Sequence, residues 1–183
     1  DLGQSGEFDV NSMRIVEVDG SNQVIDDAVA FQFDPNADFD AASNATGNLI
    51  FMLDGQTLST VQRRFHIYFD VKGLNNFIPP DFVPRVITTD NVEDAGQMSF
   101  RIETVNGIYY YHKEGGGFSS LDDRNGNDWI NYGTASGSAG EFRGIPNLVH
   151  PNDGGYFHPG EGSISSSLLA QGPLKTTIHS ITA

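Results

Sequence analysis

In stretch after stretch of this chain, apolar and polar residues alternate with a period of two. No window of 11 residues carries the stripe of an amphipathic helix. Successive side chains of a strand point to opposite faces, so the pattern belongs to antiparallel strands with one buried face. Residues 63–70 (RRFHIYFD) put Phe65, Ile67 and Phe69 on one side and Arg64, His66 and Tyr68 on the other. Residues 24–34 end with Val29, Phe31 and Phe33 on a single face. Residues 98–104 and 107–113 meet at Asn106-Gly107, a strong hairpin signal because the favoured tight turns need positive φ. Residues 13–19, 49–53 and 175–181 are further strands with weaker alternation. Single turns of helix are expected at 38–43 and 165–170. Residues 75–84, with three prolines, read as an extended surface crossover. The predicted fold is all-β: one antiparallel β-sandwich over residues 1–183, of about ten strands and the jelly-roll or supersandwich kind, with long loops. The last strand runs to the chain end without a closing turn, which predicts a fragment of a larger protein.

Composition narrows the function. A formal net charge of -14, with only Lys72, Lys113 and Lys175 as lysines, repels phosphate backbones and anionic lipid. Nucleic-acid and membrane-surface binding are therefore set aside, and a strongly anionic polysaccharide would need calcium to bridge it. With no cysteine, disulfides, thiol catalysis and cysteine-held metals are excluded. No apolar run of about 18 residues is present, so no membrane insertion is expected. Low lysine, no cysteine and abundant Asp, Asn, Gly and Ser suit a secreted bacterial protein. The sequon Asn44-Ala45-Thr46 would permit N-glycosylation in a eukaryotic secretory route.

The candidate site lies in residues 118–160, which combine the sole tryptophan with glycine-rich, polar and aromatic sequence. Long irregular segments of this kind usually form sites. Asp122, Asp123, Asn125, Asn127 and Asp128 offer five oxygen-bearing side chains in seven residues, with Gly126 allowing a sharp turn. Calcium takes about 6–8 hard oxygen ligands, so this cluster is a candidate calcium loop. It lacks the closing glutamate of an EF-hand, and the same residues are ordinary turn formers. Trp129, Tyr132, Arg143, Asn147, Tyr156 and His158 have the make-up of a glycan site. Rings stack on the apolar face of a sugar, while amide, guanidinium and imidazole groups bond its hydroxyls. For Trp129 taken alone, burial in the core is the stronger expectation, because a lone tryptophan is usually buried.

No complete catalytic set is visible, so the catalytic residues are unknown. Tyr109, Tyr111 and Lys113 share one face of their strand, and Tyr110 and His112 the other. An enzyme reading, a polysaccharide lyase or glycoside hydrolase, would draw its acid and base from Tyr110, His112, His150 and His158. A tyrosine-rich strand is more simply a core strand.

Several phrases resemble the β-sandwich regions of large secreted bacterial proteins that act on polysaccharides. They are Phe65-His66-Ile67-Tyr68-Phe69-Asp70, Gly126-Asn127-Asp128-Trp129-Ile130, Arg143-Gly144-Ile145-Pro146-Asn147 and Phe157-His158-Pro159-Gly160. The entry of the chain, with Phe31-Gln32-Phe33-Asp34 and Gly47-Asn48-Leu49-Ile50-Phe51, is similar to the first sheet of such modules. The resemblance implies an extracellular carbohydrate context and carries no catalytic residue over. The leading expectation is thus a secreted carbohydrate-binding module, with residues 122–128 either an ordinary turn, the stronger expectation, or a stabilising calcium loop. The alternatives are the enzyme above and a surface or filament subunit that assembles with its own copies through edge strands.

Overall fold

The computed structural model describes residues 5–130, 148–149, 156–157, 160 and 162–182. Thirteen strands and no α-helix are found among them, and every strand pairing is antiparallel. No helix among the described residues is long and apolar enough to cross a membrane. The chain divides into two compact units, Asp1–Val83 and Pro84–Ala183.

The first unit contains β1 (Phe8–Val18), β2 (Val24–Asp26), β3 (Phe31–Pro35), β4 (Gly47–Phe51) and β5 (Arg64–Val71). Strands β2, β1 and β5 form a sheet with β1 in the middle, and β3 pairs with β4 as a hairpin. Alternation decides what is buried. Met13 and Ile15 on β1 cluster with Val29 and Phe31, and Phe33, Leu49, Phe51 and Phe65 pack around them. Phe51 and Phe65 hold their rings 5.2 Å apart. Residues 24–34 make two strands rather than one. The Asp26 carboxylate accepts the Ala28 N–H at 2.9 Å, a local turn that ends β2 and lets β3 start afresh.

Charges in this unit are tied to the framework. Arg63 forks onto Glu17 with two N–H···O contacts of 2.6 Å, which holds the Glu17 carboxyl below its usual range. Arg14 donates to the Asn11, Met13 and Ile78 carbonyls. The segment at 38–43 is a set of turns, not helix. Asn44, the sequon residue, donates its side-chain N–H groups to the Asp38 carbonyl and carboxylate, both at 3.0 Å.

In the second unit β6 (Val86–Asp94), β7 (Gln97–Thr104), β8 (Gly107–His112) and β9 (Gly117–Asp123) form a four-stranded meander in that order. The expected hairpin joins β7 to β8 through Val105 and Asn106, but not by positive φ. Neither Asn106 nor Gly107 has it, Gly107 already belongs to β8, and the Thr104 hydroxyl accepts the Asn106 and Gly107 N–H groups. Two hairpins follow, β10 (Leu148–Val149) with β11 (Tyr156–Phe157), and β12 (Ile164–Gln171) with β13 (Thr176–Thr182). The helical expectation at 165–170 was wrong: these residues lie in β12. Ile164, Ser166, Leu168 and Ala170 are its more buried positions, a period of two that cross-strand pairing with β13 enforces over the helix-favouring Leu-Leu-Ala.

Cross-strand register sorts the meander into two faces. Thr88, Ile102, Tyr109 and Leu121 line up on one face, with Phe100, Tyr111 and Phe118 beside them. Phe100 is only 2% exposed. The β12–β13 hairpin is bonded to this side. The Tyr111 and Ser180 hydroxyls are 2.7 Å apart, those of Thr88 and Thr176 2.6 Å, and the Pro173 carbonyl accepts the Arg85 and Val86 N–H groups. Lys113 caps the edge. Its Nζ lies 4.8 Å from the Phe100 ring centre and donates to Asp90 and Asn91.

The opposite face is polar and carries Arg101, Tyr110 and Ser120 in one row, with Glu103, Ile108 and Asp122 in the next. Arg101 pairs with Glu103 and donates to the Tyr110 hydroxyl. At one end His112, 1% exposed, donates its Nε2–H to the Asp94 carbonyl at 3.0 Å. The Asp94 carboxylate also accepts Ser119, the extra residue of a bulge in β9, and Ser120. Burial pushes the His112 pKa below its ordinary value, against the pull of Asp94. The unfolded chain therefore binds a proton that the folded chain refuses. That stability is complete above the unfolded pKa of about 6.5 and is lost as pH falls toward the folded value. Urea midpoints of the wild type should drop between pH 7.5 and pH 5, and His112→Gln should flatten the drop. An equal slope in the variant would refute this.

Candidate functional site

The turn that follows β9 is built around one carboxylate. Gly126 takes φ 79°, a left-handed conformation that glycine adopts at no steric cost. The chain then closes through Gly126 N–H to the Asp123 carbonyl and Asp123 N–H to the Asn127 carbonyl, both 3.0 Å. Asp123 Oδ1 accepts the Asn125 and Asn127 backbone N–H groups at 2.8 and 3.0 Å. Its Oδ2 accepts Asn127 Nδ2 and the Trp129 indole N–H, each at 3.0 Å. The Asn127 bonds foremost, then the indole N–H, hold this carboxyl far below the usual carboxylate range.

Two further contacts fold the chain back along β9. Asp128 Oδ1 accepts the Leu121 and Ile130 N–H groups, and Trp129 N–H donates to the Leu121 carbonyl. Arg124 reaches across to the Val105 carbonyl and the Asn106 side chain, tying the turn to the β7–β8 hairpin. Asp122 is different. Burial, then the nearby carboxylates of Asp128, Asp94 and Asp123, raise its pKa, with Arg101 pulling the other way.

Trp129 is 72% exposed. The expectation of core burial fails here for a physical reason: the Asp123 carboxylate satisfies the indole N–H at the surface, so the ring is fixed without a core around it. Asp122, Asp123, Asn125, Asn127, Asp128 and Trp129 thus lie in and beside one turn. The Asp123 oxygens and Asp128 Oδ1 serve N–H donors of the turn and of β9, and among the described residues no group of three or more His, Asp or Glu side chains converges as a metal site. Tyr132, Arg143, Asn147 and His158 lie outside the described residues, as does His150. Tyr156 lies in β11, paired with Val149 of β10.

His112 is sealed inside the Asp94 cluster and does not reach solvent, so it is no acid–base group for a bound substrate. Sequence reasoning named Tyr110 but missed Asp94 and the Arg101 and Glu103 partners that share its face. The alternation of Arg101 and Glu103 in MSFRIET was the available signal for that polar face.

No family model, no curated protein and no solved structure matches the chain. The chemistry must be read from the geometry alone. An aromatic face is held outward by its polar edge, and amide and carboxylate groups stand around it.

Proposed function

We propose that this chain is a secreted carbohydrate-binding module, and that its second unit binds glycan at Trp129. The observation that carries this is the exposed indole anchored through its N–H to Asp123. A free indole on a surface would pay rotamer entropy on binding, and an anchored one has already lost it. A sugar ring would lay its C–H face on the indole, and its hydroxyls would meet the amides and carboxylates of residues 122–128. In this reading Tyr132, Arg143, Asn147, Tyr156 and His158 extend the site, and the fold is an antiparallel β-sandwich of the jelly-roll or supersandwich kind. The net charge of -14 favours a neutral glycan. A calcium ion beside Asp122 would offset the burial of that carboxylate and the repulsion it feels from Asp128, Asp94 and Asp123.

The sole tryptophan makes the test direct, since its emission reports this site and no other. Titration with the right glycan should shift and quench it. Read by calorimetry, since the variant has no tryptophan emission, Trp129→Ala should weaken binding by about 1–2 kcal/mol, roughly five- to thirtyfold in Kd. Asp123→Ala keeps the ring but frees its N–H, and should weaken binding too. Running each titration in calcium and in chelator tests the ion. A Trp129→Ala variant with wild-type affinity for every glycan bound would sink the proposal.

A further inference from the structure

The first unit holds an open cleft of 540 Å3. It lies between the β3–β4 connection on one side and the start of β1 and end of β5 on the other. Small-molecule sites span about 300–1,000 Å3, so the size is suitable.

The wall of the cleft, residues 41–46, is unusually well tied. Asp40 Oδ1 accepts the Ala42 and Ser43 N–H groups at 2.8 and 2.9 Å. Asp40 and Asn44 exchange backbone hydrogen bonds of 3.0 and 2.8 Å. The Asn44 side chain is held by Asp38, and Phe8 N–H donates to the Ala41 carbonyl at 2.8 Å. These bonds fix a backbone half of whose side chains are methyl groups, at Ala41, Ala42 and Ala45. A loop of small residues held this firmly is a preformed surface rather than a filler of space.

The floor is aromatic. Phe69 is 47% exposed, and its ring stands edge-on to Phe8 at 5.6 Å. At the rim, the Thr46 hydroxyl accepts Asn36 Nδ2 and so keeps its own hydrogen to donate. The Ser43 hydroxyl donates to Asp40 and keeps its lone pairs. Asp70 is the one ionisable side chain among the residues lining the cleft.

These features select an occupant. Asp70 and the acidic surface repel an anion. A purely apolar ligand would leave the Thr46 hydroxyl hydrogen, the Ser43 lone pairs and the second Asp70 oxygen unused, since Asp70 Oδ1 already accepts the Val71 N–H at 2.8 Å. A neutral sugar ring satisfies both sets, with its C–H face on Phe69 and its hydroxyls on the rim. We propose that this cleft is a second glycan site, which takes one neutral sugar ring independently of Trp129. The choice of sugar as ligand class rests on the glycan reading above, and the site itself does not.

The test uses the full chain with methyl-labelled alanine and three probes: hexasaccharides of β-1,4-linked glucose, mannose and xylose. Alanine methyl shifts of Ala41, Ala42 and Ala45 report the cleft, and Trp129 emission reports the other site. The expected result is that one probe shifts the three methyls to saturation in both wild type and Trp129→Ala. Ala42→Leu should raise the Kd read at Ala41 and Ala45 at least tenfold while leaving the Trp129 titration unchanged. Methyls that stay still while Trp129 responds would overturn the cleft and leave the first site standing. Methyl shifts that vanish in Trp129→Ala would also overturn it. Silence at both sites with all three probes would overturn both readings.

Discussion

Phe100→Ala is expected to remove about 3–5 kcal/mol from the unfolding free energy, the range for emptying a buried phenylalanine site. The ring is 2% exposed on the apolar face of the meander, next to Tyr111 across the β7–β8 pair. It also lies under Lys113 Nζ, so the variant loses a cation–π contact along with the packing. For a unit of this size each kcal/mol moves Tm by roughly 4–8 °C, so the melting transition should fall by well over 10 °C. Circular dichroism is the right readout. Trp129 is already exposed when folded, and its emission will report unfolding poorly. Phe100→Leu, which refills most of the volume, should cost less than about 1.5 kcal/mol. A loss below about 1 kcal/mol in the alanine variant would show that Phe100 is not a core residue.

Gly107→Ala should damage both stability and binding. A Cβ at this position would overlap the Asp122 carbonyl oxygen and lie 3.7 Å from the Asp123 Cα. The obstacle is backbone, which cannot swing aside as a side-chain tip would. Strands β8 and β9 must therefore part at the Gly107–Asp123 pair. Overpacking of this kind costs about 1–3 kcal/mol. The displaced residue is the one that orients Trp129, so glycan affinity should fall about as far as in Asp123→Ala. Gly20→Ala is the control, with no atom within 4 Å of the added Cβ. Amide exchange along β8 and β9 and a Trp129 titration would check it. Unchanged exchange and unchanged affinity together would refute the register at this pair.

Which elements could be read in advance follows from their side chains. Strands β5 and β7 alternate apolar with polar residues, so period two was visible in both, whereas β8 (GIYYYH) was legible from its β-favouring tyrosines and the Asn-Gly signal before them. Strand β6 was hidden because Asp90 and Asn91 interrupt it at a bulge, with Asn91 at φ 57°. Strand β9 starts from a glycine run, and β12 is rich in serine, so neither offered an apolar rhythm of its own. Pairing with neighbours makes them strands. The Asp122–Asp128 segment was legible as a special turn, but an Asp-x-Asn-Gly-Asn sequence fits an ion and a set of N–H donors equally well. Where the N–H groups point is a property of the folded backbone, and here they point at Asp123. Trp129 misled for a related reason: its anchor lies six residues back and appears only once the turn is closed.

The tied cations have a consequence for proteolysis. A trypsin-like protease must draw a lysine or arginine side chain into its own pocket, together with several extended residues of backbone. Arg63 is forked onto Glu17, Arg14 is spread over three carbonyls, Arg101 is paired with Glu103, and Lys113 is clamped between Phe100 and β6. Arg124 grips the neighbouring hairpin. Each of these cleavage handles is already spent on holding the fold, so digestion at them must wait for local unfolding.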